Sequence, residues 1–313
     1  MTKLQRVRAA LRGEPTDRVP FSVYQHSNVH NRGAGQFAEY TLAFHKKYDP
    51  DYVKVMYDEN YDSPVNFQFA VDPKVWGLLE ELDPRQGAFG RQMESLKIIK
   101  DSVGPDVPVV QTLYSPFHWG VRLAWRQIMA HYREEPELVE RGLAVIAKNI
   151  IAFGLLALQE AGIDGFLFGA YGCEPSWLGE AEYGHIAMRH DKSVLAALRK
   201  GSILMLHIHG EQGSYFDLLK DYECDALSWE DRLGGPSLAE ARKRSAKCLI
   251  GGVDHVKAAT RSKEEVLAEA RDAIRQTGGR GFILAPGCTF GDEVKEDRIL
   301  ALREAAESSR SRG

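Results

Sequence analysis

The chain has 313 residues, of which 44% are hydrophobic and 27% are charged, and its formal net charge is −4. These values are typical of a globular protein with a large core, and a mild negative charge without a basic stripe argues against a nucleic-acid partner. The N-terminus lacks the apolar core of a signal peptide, and no apolar run reaches the roughly 18 residues of a membrane span. We therefore expect a cytoplasmic protein with no membrane partner.

Short apolar runs alternate with longer amphipathic segments along the chain. Eight runs predict strands, at residues 19–23, 52–56, 107–113, 165–168, 203–209, 226–229, 248–253 and 281–285. Apolar residues at helical spacing predict helices at residues 4–11, 37–48, 121–131, 136–161, 195–200, 238–245, 263–276 and 296–308. Strands that alternate with helices predict parallel βαβ units, and eight such units favour a closed barrel over an open sheet. The predicted fold class is α/β, as a single (β/α)8 TIM barrel over residues 1–313, since no linker or repeat divides the chain.

Two histidines end the fifth predicted strand. His207 and His209 lie two residues apart, so their side chains point to the same face of the strand. Cys288 follows the eighth predicted strand, and the carboxyl ends of barrel strands meet at one mouth, where barrel enzymes carry their catalytic groups. Imidazole and thiolate are ligands that zinc prefers, and three protein ligands would leave one position open, as in a catalytic site. The alternative is that the two histidines are a hydrogen-bonded feature of the core. Cys224 and Cys248 are predicted to be small buried hydrophobes.

Five stretches resemble the uroporphyrinogen decarboxylase superfamily, in the order in which that superfamily carries them. They are ALRGEPTDRVP at 10–20, EAGIDG at 160–165, HIHG at 207–210, GGVD at 251–254 and GFILAPGC at 281–288. The resemblance implies a (β/α)8 barrel. It also implies one of two activities: metal-free decarboxylation of a tetrapyrrole, or zinc-dependent methyl transfer between corrinoids and thiols or similar acceptors.

The residues fit the decarboxylase branch poorly. A substrate with eight carboxylates needs a cluster of Arg or Lys, but residues 21–32 contain one arginine, Arg32. Cys288 also stands where the resemblance places a histidine of the decarboxylases. Asp58 does match an essential aspartate of that branch, which makes it a candidate catalytic residue. Its alternative role is that of a loop residue that caps a helix.

The methyltransferase branch carries His-x-Cys on this strand and a second Cys after the last one, so the resemblance implies zinc at His207, His209 and Cys288. The histidine at 209 is a departure from that pattern. It leaves one anionic ligand where the branch has two, which makes the metal a stronger Lewis acid. Activation of a thiol by zinc therefore competes with activation of water.

Further polar and aromatic side chains follow the predicted strands and are expected near the mouth. Glu174 is a candidate fourth zinc ligand or proton acceptor, with a solvated loop carboxylate as the alternative. The candidate substrate-binding residues are Tyr24, His26, His118, Trp119, Trp229 and Asp254. Glu230 and Asp231 occupy an equivalent position after the sixth predicted strand.

The leading hypothesis is a zinc-dependent methyltransferase that moves a methyl group between a corrinoid or small methylated donor and a thiol-type or similar acceptor. Its expected partners are a small-molecule substrate and a corrinoid protein, and the resemblance implies a homodimer. Three alternatives stay open: a metal-free decarboxylase that uses Asp58, a hydrolytic relative in which zinc activates water, and a non-catalytic binding relative. Neither donor nor acceptor follows from the sequence.

Overall fold

A computed structural model describes residues 1–27, 29, 32–64, 67 and 72–309. Within these residues, seven parallel strands form one curled sheet in which every strand pairs with the next along the chain. The strands are β1 Val53–Val55, β2 Val109–Tyr114, β3 Gly165–Ala170, β4 Ile203–Ile208, β5 Ala226–Trp229, β6 Cys248–Val253 and β7 Phe282–Pro286. Most of their residues are buried on both faces, as expected for a parallel sheet covered by helices.

The predicted strand at residues 19–23 is not a strand, so the described sheet has seven strands where we predicted eight. Only isolated parallel bridges pair this region with the other edge of the sheet, at Phe21–Leu284 and Gln25–Phe290. Ser22 N donates to the carbonyl of Leu284, whose own N–H donates to Pro20. Pro20 has no N–H to offer a neighbouring strand, which limits regular pairing here.

Helices cover the sheet. They are α1 Lys3–Leu11, α2 Ala34–Tyr48, α3 Gly87–Val103, α4 Pro116–Ala124, α5 Gln127–Glu134, α6 Pro136–Glu160, α7 Glu180–Ile186, α8 Met188–Leu198, α9 Phe216–Leu219, α10 Leu238–Arg244, α11 Lys263–Thr277 and α12 Glu296–Ser308, with short 3-10 helices at Pro73–Leu78 and Lys257–Ala259. The helix predicted at 121–131 is instead two helices, because Trp125 adopts a φ of 50° and ends α4. Helices α3, α7 and α9 were not predicted.

A buried ion cluster holds the N-terminal segment against the sheet. Asp51 is fully buried and accepts hydrogen bonds from Arg6 at 2.7 Å and from Arg18 at 2.7 and 3.0 Å. The N–H of Phe21 donates to the same carboxylate at 2.8 Å. A buried carboxylate needs such partners because desolvation of an unpaired charge is costly. Arg18, within the first of the family-like stretches, therefore has a structural role.

Among the described residues, α6 is the one helix long and apolar enough to cross a membrane by length and composition. Its most apolar window is 56% buried inside the protein, and its buried residues include Leu143, Ile146 and Phe153. A core helix has these properties too.

Candidate metal site and adjoining cavity

The carboxyl ends of β4, β5 and β7 bring four metal-binding side chains together. One ligand atom from each lies within 4.8 Å of the others, and the four residues are His207, His209, Glu230 and Cys288. Strand alternation places both histidines on the inner face of β4. In the register of β4 and β5, Ile208 pairs with Trp229, so Glu230 follows directly beside His209.

A glycine allows Cys288 to approach from the other side. A Cβ atom at Gly287 would lie 3.1 Å from the Cα of Glu230, tighter than nine in ten Cβ contacts in proteins. The absence of a side chain there lets the segment after β7 pass against residue 230. The sequence Pro286-Gly287-Cys288 is thus suited to deliver a thiol to this cluster.

Both histidines have their Nδ1 atoms engaged. His207 Nδ1 lies 3.2 Å from Ser228 Oγ, and His209 Nδ1 lies 2.7 Å from Glu230 Oε1. The other oxygen of Glu230 accepts the N–H of Gly210 at 2.9 Å. Partners on Nδ1 fix the ring orientation and leave Nε2 for a metal, which is the usual arrangement of a metal-binding histidine.

The site fits a zinc ion. His207 Nε2 is buried and has no hydrogen-bond partner among the described residues, although buried polar atoms are normally paired. A metal would satisfy it. Two imidazoles and one thiolate form a donor set that zinc prefers. Since both oxygens of Glu230 already accept hydrogen bonds, its carboxylate is suited to orient His209.

Electrostatics favour the thiolate form of Cys288. Burial raises the pKa of this thiol, but the attraction of His207 and His209 outweighs burial, and the pKa lies well below its ordinary value. Burial lowers the pKa of His209, whereas its contacts with Cys288 and Glu230 raise it, with a net increase. The thiolate is the form of cysteine that binds metals and attacks electrophiles.

A cavity of about 390 Å³ adjoins the cluster, a size at the lower end of ligand pockets. Its polar lining is mostly basic or neutral, and consists of Lys54, Arg122, His26, His118, His207, His209, Cys288, Thr112, Thr289, Tyr114 and Tyr171. No carboxylate lines it among the described residues. The cavity is therefore suited to a small ligand that carries negative charge.

Two cationic side chains line the cavity, Lys54 and Arg122, and of the two Lys54 was the less expected from the sequence. Its Nζ lies 4.1 Å from the ring centroid of Tyr24, and burial lowers its pKa to about 8. Arg122 lies over the rings of Tyr114 and Trp119 at 5.2 and 4.8 Å. Cation–π contacts hold both groups without neutralising them.

Two further candidates from the sequence line the cavity. His118 stacks on Tyr171 and packs at a tilt against Tyr114, and burial lowers its pKa well below the ordinary value, so its ring is neutral. His26 is at the opening, with its Nδ1 2.6 Å from Asp58 Oδ1, while the other oxygen of Asp58 accepts the N–H of Ser27. Asp58 therefore contacts a residue of the cavity lining, His26, and is not itself part of that lining.

Tyr24, which lies against Lys54, and Asp58 are not part of the cavity lining, and four further candidates also lie outside it. Trp229 is fully buried and donates from Nε1 to Pro236, and Trp119 packs among tyrosines. Asp254 accepts the N–H groups of the turn that follows β6. Glu174, which we expected as a fourth ligand, accepts the N–H of Gln212 at 3.3 Å instead; Glu230 is the carboxylate within the cluster. Substrate contact by Trp229, Trp119 and Asp254 stays a prediction, as does the role of Glu174 as a proton acceptor.

Sequence reasoning overlooked Lys54 and did not choose between Glu230 and its neighbours. A signal existed for Lys54, because a lysine between the two valines of β1 is unusual in a buried strand. Glu230 was recognised as following a predicted strand, but preferring it over Asp231 or Glu174 requires the register between β4 and β5.

Comparisons with known proteins found related methyltransferases. The curated relatives include the methylcobamide:CoM methyltransferase MtaA of Methanosarcina barkeri strain Fusaro, 25% identical over 214 residues, which are 67% of this chain. A second MtaA sequence from Methanosarcina barkeri is 24% identical over 212 residues. The matched region spans 61% of the length of either relative.

Solved structures share the fold. A methyltransferase from Methanosarcina mazei superposes with a TM-score of 0.83 at 21% identity, covering 98% of this chain and 99% of that one. A B12-independent methionine synthase from Shewanella sp. W3-18-1 gives a TM-score of 0.53 at 16% identity, covering 74% of this chain and 70% of that one. The uroporphyrinogen decarboxylase sequence model matches residues 2–309, and the chain therefore belongs to the uroporphyrinogen decarboxylase family.

Proposed function

We propose that this protein is a zinc-dependent methyltransferase that moves a methyl group from a corrinoid to a small thiol. The observation that carries the proposal is the cluster of two imidazoles and a thiolate, with ligand atoms within 4.8 Å of one another, at the side of a cavity. The names of the curated relatives, both methylcobamide:CoM methyltransferases, support the same reaction class.

His207, His209 and Cys288 would hold the metal, and Glu230 would orient His209. Zinc bound there would supply a Lewis acid that favours the deprotonated form of the acceptor thiol. The sulfur provides the electron pair of the new S–C bond, and the bond between the methyl group and its carrier breaks with its electron pair left on the carrier. The chain itself keeps the thiol in a small cavity beside the cluster.

The cavity favours an acceptor with an anionic tail. Lys54 and Arg122 contribute two positive charges, and no carboxylate of the described lining opposes them. Charge-assisted hydrogen bonds to a sulfonate or carboxylate would satisfy these groups. Since the relatives are named for CoM, 2-mercaptoethanesulfonate is the first acceptor to test.

Metal analysis combined with a transfer assay tests the proposal. Protein loaded with zinc and freed of excess should retain about one zinc per chain, and should demethylate methylcobalamin only when a thiol is present, which is followed by absorbance. A protein that retains no zinc and yet decarboxylates a tetrapyrrole would support the alternative that uses Asp58. Zinc without methyl transfer would favour the hydrolytic or the non-catalytic alternative.

The proposal also covers the methyl carrier, the oligomeric state and the location of the protein. The methyl donor is expected on a corrinoid protein, although free methylcobalamin serves for the assay. A homodimer, a cytoplasmic location and the lack of nucleic-acid or membrane partners stay predictions.

A further inference from the structure

A series of aromatic rings leads from the metal cluster to the protein surface. The ring of Tyr171 stacks on His209, with centroids 5.2 Å apart and planes inclined by 19°. Trp177 meets Tyr171 at 5.1 Å, and Trp125 meets Trp177 at 5.3 Å with perpendicular planes. We call Tyr171, Trp177 and Trp125 the aromatic rim. It begins at the cavity lining and ends in solvent.

Trp125 is exposed to an unusual degree and is held in a costly backbone conformation. Its exposed fraction is 62%, the largest among the exposed large hydrophobic residues of the described chain. Its φ is 50° and ψ is −139° at the end of α4, a region that residues with a side chain rarely adopt. The unusual φ ends α4, whereas the exposed ring, contiguous with Trp177 and Tyr171, leaves apolar surface of the kind that binds partners.

Positive charge accompanies the aromatic rim. The guanidinium of Arg126 lies 4.6 Å from the ring centroid of Trp177, and Arg122, one turn earlier along α4, lines the cavity. Both side chains are exposed. The surface thus combines flat apolar faces with two cations, and suits a ligand that has a large planar ring and a negatively charged group.

The size of the cavity limits what can enter it. A volume of about 390 Å³ accommodates a small acceptor, but not in addition a corrinoid macrocycle with its side chains. A methyl group on such a ring can approach the cluster only if the ring stays outside, at the opening. Tyr171 lines this cavity and Trp125 is exposed, so the aromatic rim extends from the cavity to solvent.

We propose that the aromatic rim binds the corrin ring of the methyl carrier outside the cavity, with Arg122 and Arg126 close to the phosphodiester of its nucleotide tail. This inference rests on the proposed function, because it assigns the donor side of the same reaction. Ring packing against the tryptophans supplies affinity, and the arginines make that affinity sensitive to salt. The competing occupant of such a surface is a second copy of this chain.

Equilibrium dialysis with hydroxocobalamin tests the aromatic rim without any need for metal or thiol. Trp125→Gly is the informative variant, since glycine accepts the observed backbone angles and removes only the ring. We expect Trp125→Gly and Trp177→Ala each to raise the Kd for hydroxocobalamin about five- to tenfold, as the loss of an aromatic contact predicts. Leu78→Ala removes another exposed apolar side chain, 53% exposed, and should change the Kd less than about twofold.

The outcomes separate this inference from the proposed function. Wild-type protein that does not bind hydroxocobalamin, or tryptophan variants that bind it with unchanged Kd, would overturn the aromatic rim as its site. A wild-type dimer that Trp125→Gly converts into a monomer in sedimentation would assign the surface to a second copy instead. If hydroxocobalamin binds as expected but no methyl group reaches a thiol, the proposed function fails and the binding site stands.

Discussion

His209 and Glu230 face each other across the carboxyl ends of β4 and β5, with His209 Nδ1 2.7 Å from Glu230 Oε1. The second carboxylate oxygen is held by the N–H of Gly210, and the side chain of Glu230 is fully buried. The carboxylate is therefore fixed in position and in turn orients the imidazole, leaving Nε2 towards the cluster. Such partners commonly decide how tightly a metal-binding histidine holds its metal.

Glu230→Gln should weaken zinc binding about 10- to 100-fold. The glutamine amide has one acceptor oxygen and no charge, so it cannot accept hydrogen bonds from both His209 and Gly210 as the carboxylate does. Competition with a chromophoric chelator measures the Kd. Glu211→Gln is the matched control, since Glu211 lies in the next loop but is 53% exposed. Equal zinc affinity in the two variants would contradict the orienting role.

Cys288 should be essential for the metal. Cys288→Ser should lose zinc, because a serine hydroxyl is a much poorer ligand near neutral pH. Cys288→His should retain zinc but transfer methyl groups more slowly, since a neutral ligand replaces the thiolate. Cys248→Ala is the control, because Cys248 is buried at the opposite end of the sheet. Full zinc content and activity in Cys288→Ser would rule out the proposed site.

Lys54 should select acceptors by charge. Lys54→Met keeps the length of the side chain and removes the cation, so we expect affinity for 2-mercaptoethanesulfonate to fall about tenfold or more, with little change for neutral 2-mercaptoethanol. In the wild type, affinity for the anionic thiol should decline above the lysine pKa of about 8. Calorimetry measures both. An equal loss of affinity for the two thiols would show that Lys54 does not discriminate acceptors by charge. The control is Lys192→Met, because Lys192 is exposed.

Asp191 should make stability depend on pH. It is a fully buried residue in the first turn of α8, and its Oδ2 accepts the hydroxyls of Tyr183 and Tyr222 at 2.9 and 3.2 Å. Burial raises its pKa to about 7, although these hydrogen bonds lower it. The native state thus binds more protons than the unfolded state between the unfolded pKa of about 4 and pH 7, and the free energy of unfolding falls as pH rises through that window.

Asp191→Asn should remove this contribution. The variant should gain stability relative to the wild type as pH rises from about 4 to 7, on the order of 1.4 kcal/mol for each unit of pKa shift removed. Urea unfolding at several pH values measures it. Asp221→Asn, at a side chain that is 80% exposed, should leave the pH dependence unchanged. A difference between Asp191→Asn and the wild type that does not vary with pH would contradict the assignment.

Much of the fold could be predicted because its signals are local. Seven strands were predicted within two residues of their bounds, since buried parallel strands are short continuous apolar runs. The strand predicted at 19–23 is wrong because an apolar run does not show how many of its backbone groups can pair regularly, and Pro20 lacks an N–H donor. Helix α3 was missed because Gly87 and Gly90 and its polar residues obscure the helical pattern.

Part of the site could likewise be predicted from local sequence. His207 and His209 could be assigned to one face of a strand because side chains alternate with a period of two, whatever the strand packs against. By itself the sequence determined the family, the order of the strands along the chain and the types of donor at the cluster. Each of these depends on residue identity and spacing over short stretches.

Only the tertiary structure decided which groups meet. Glu230 rather than Glu174 joins the cluster because Ile208 pairs with Trp229. Lys54 reaches a cavity whose other walls come from distant strands, and Trp125 meets Trp177 from another loop. Such contacts join residues tens of positions apart and depend on strand register and loop packing, which the whole core settles together. Because short stretches of sequence do not specify that register, the groups that meet at the carboxyl ends of the strands could be identified only in the folded chain.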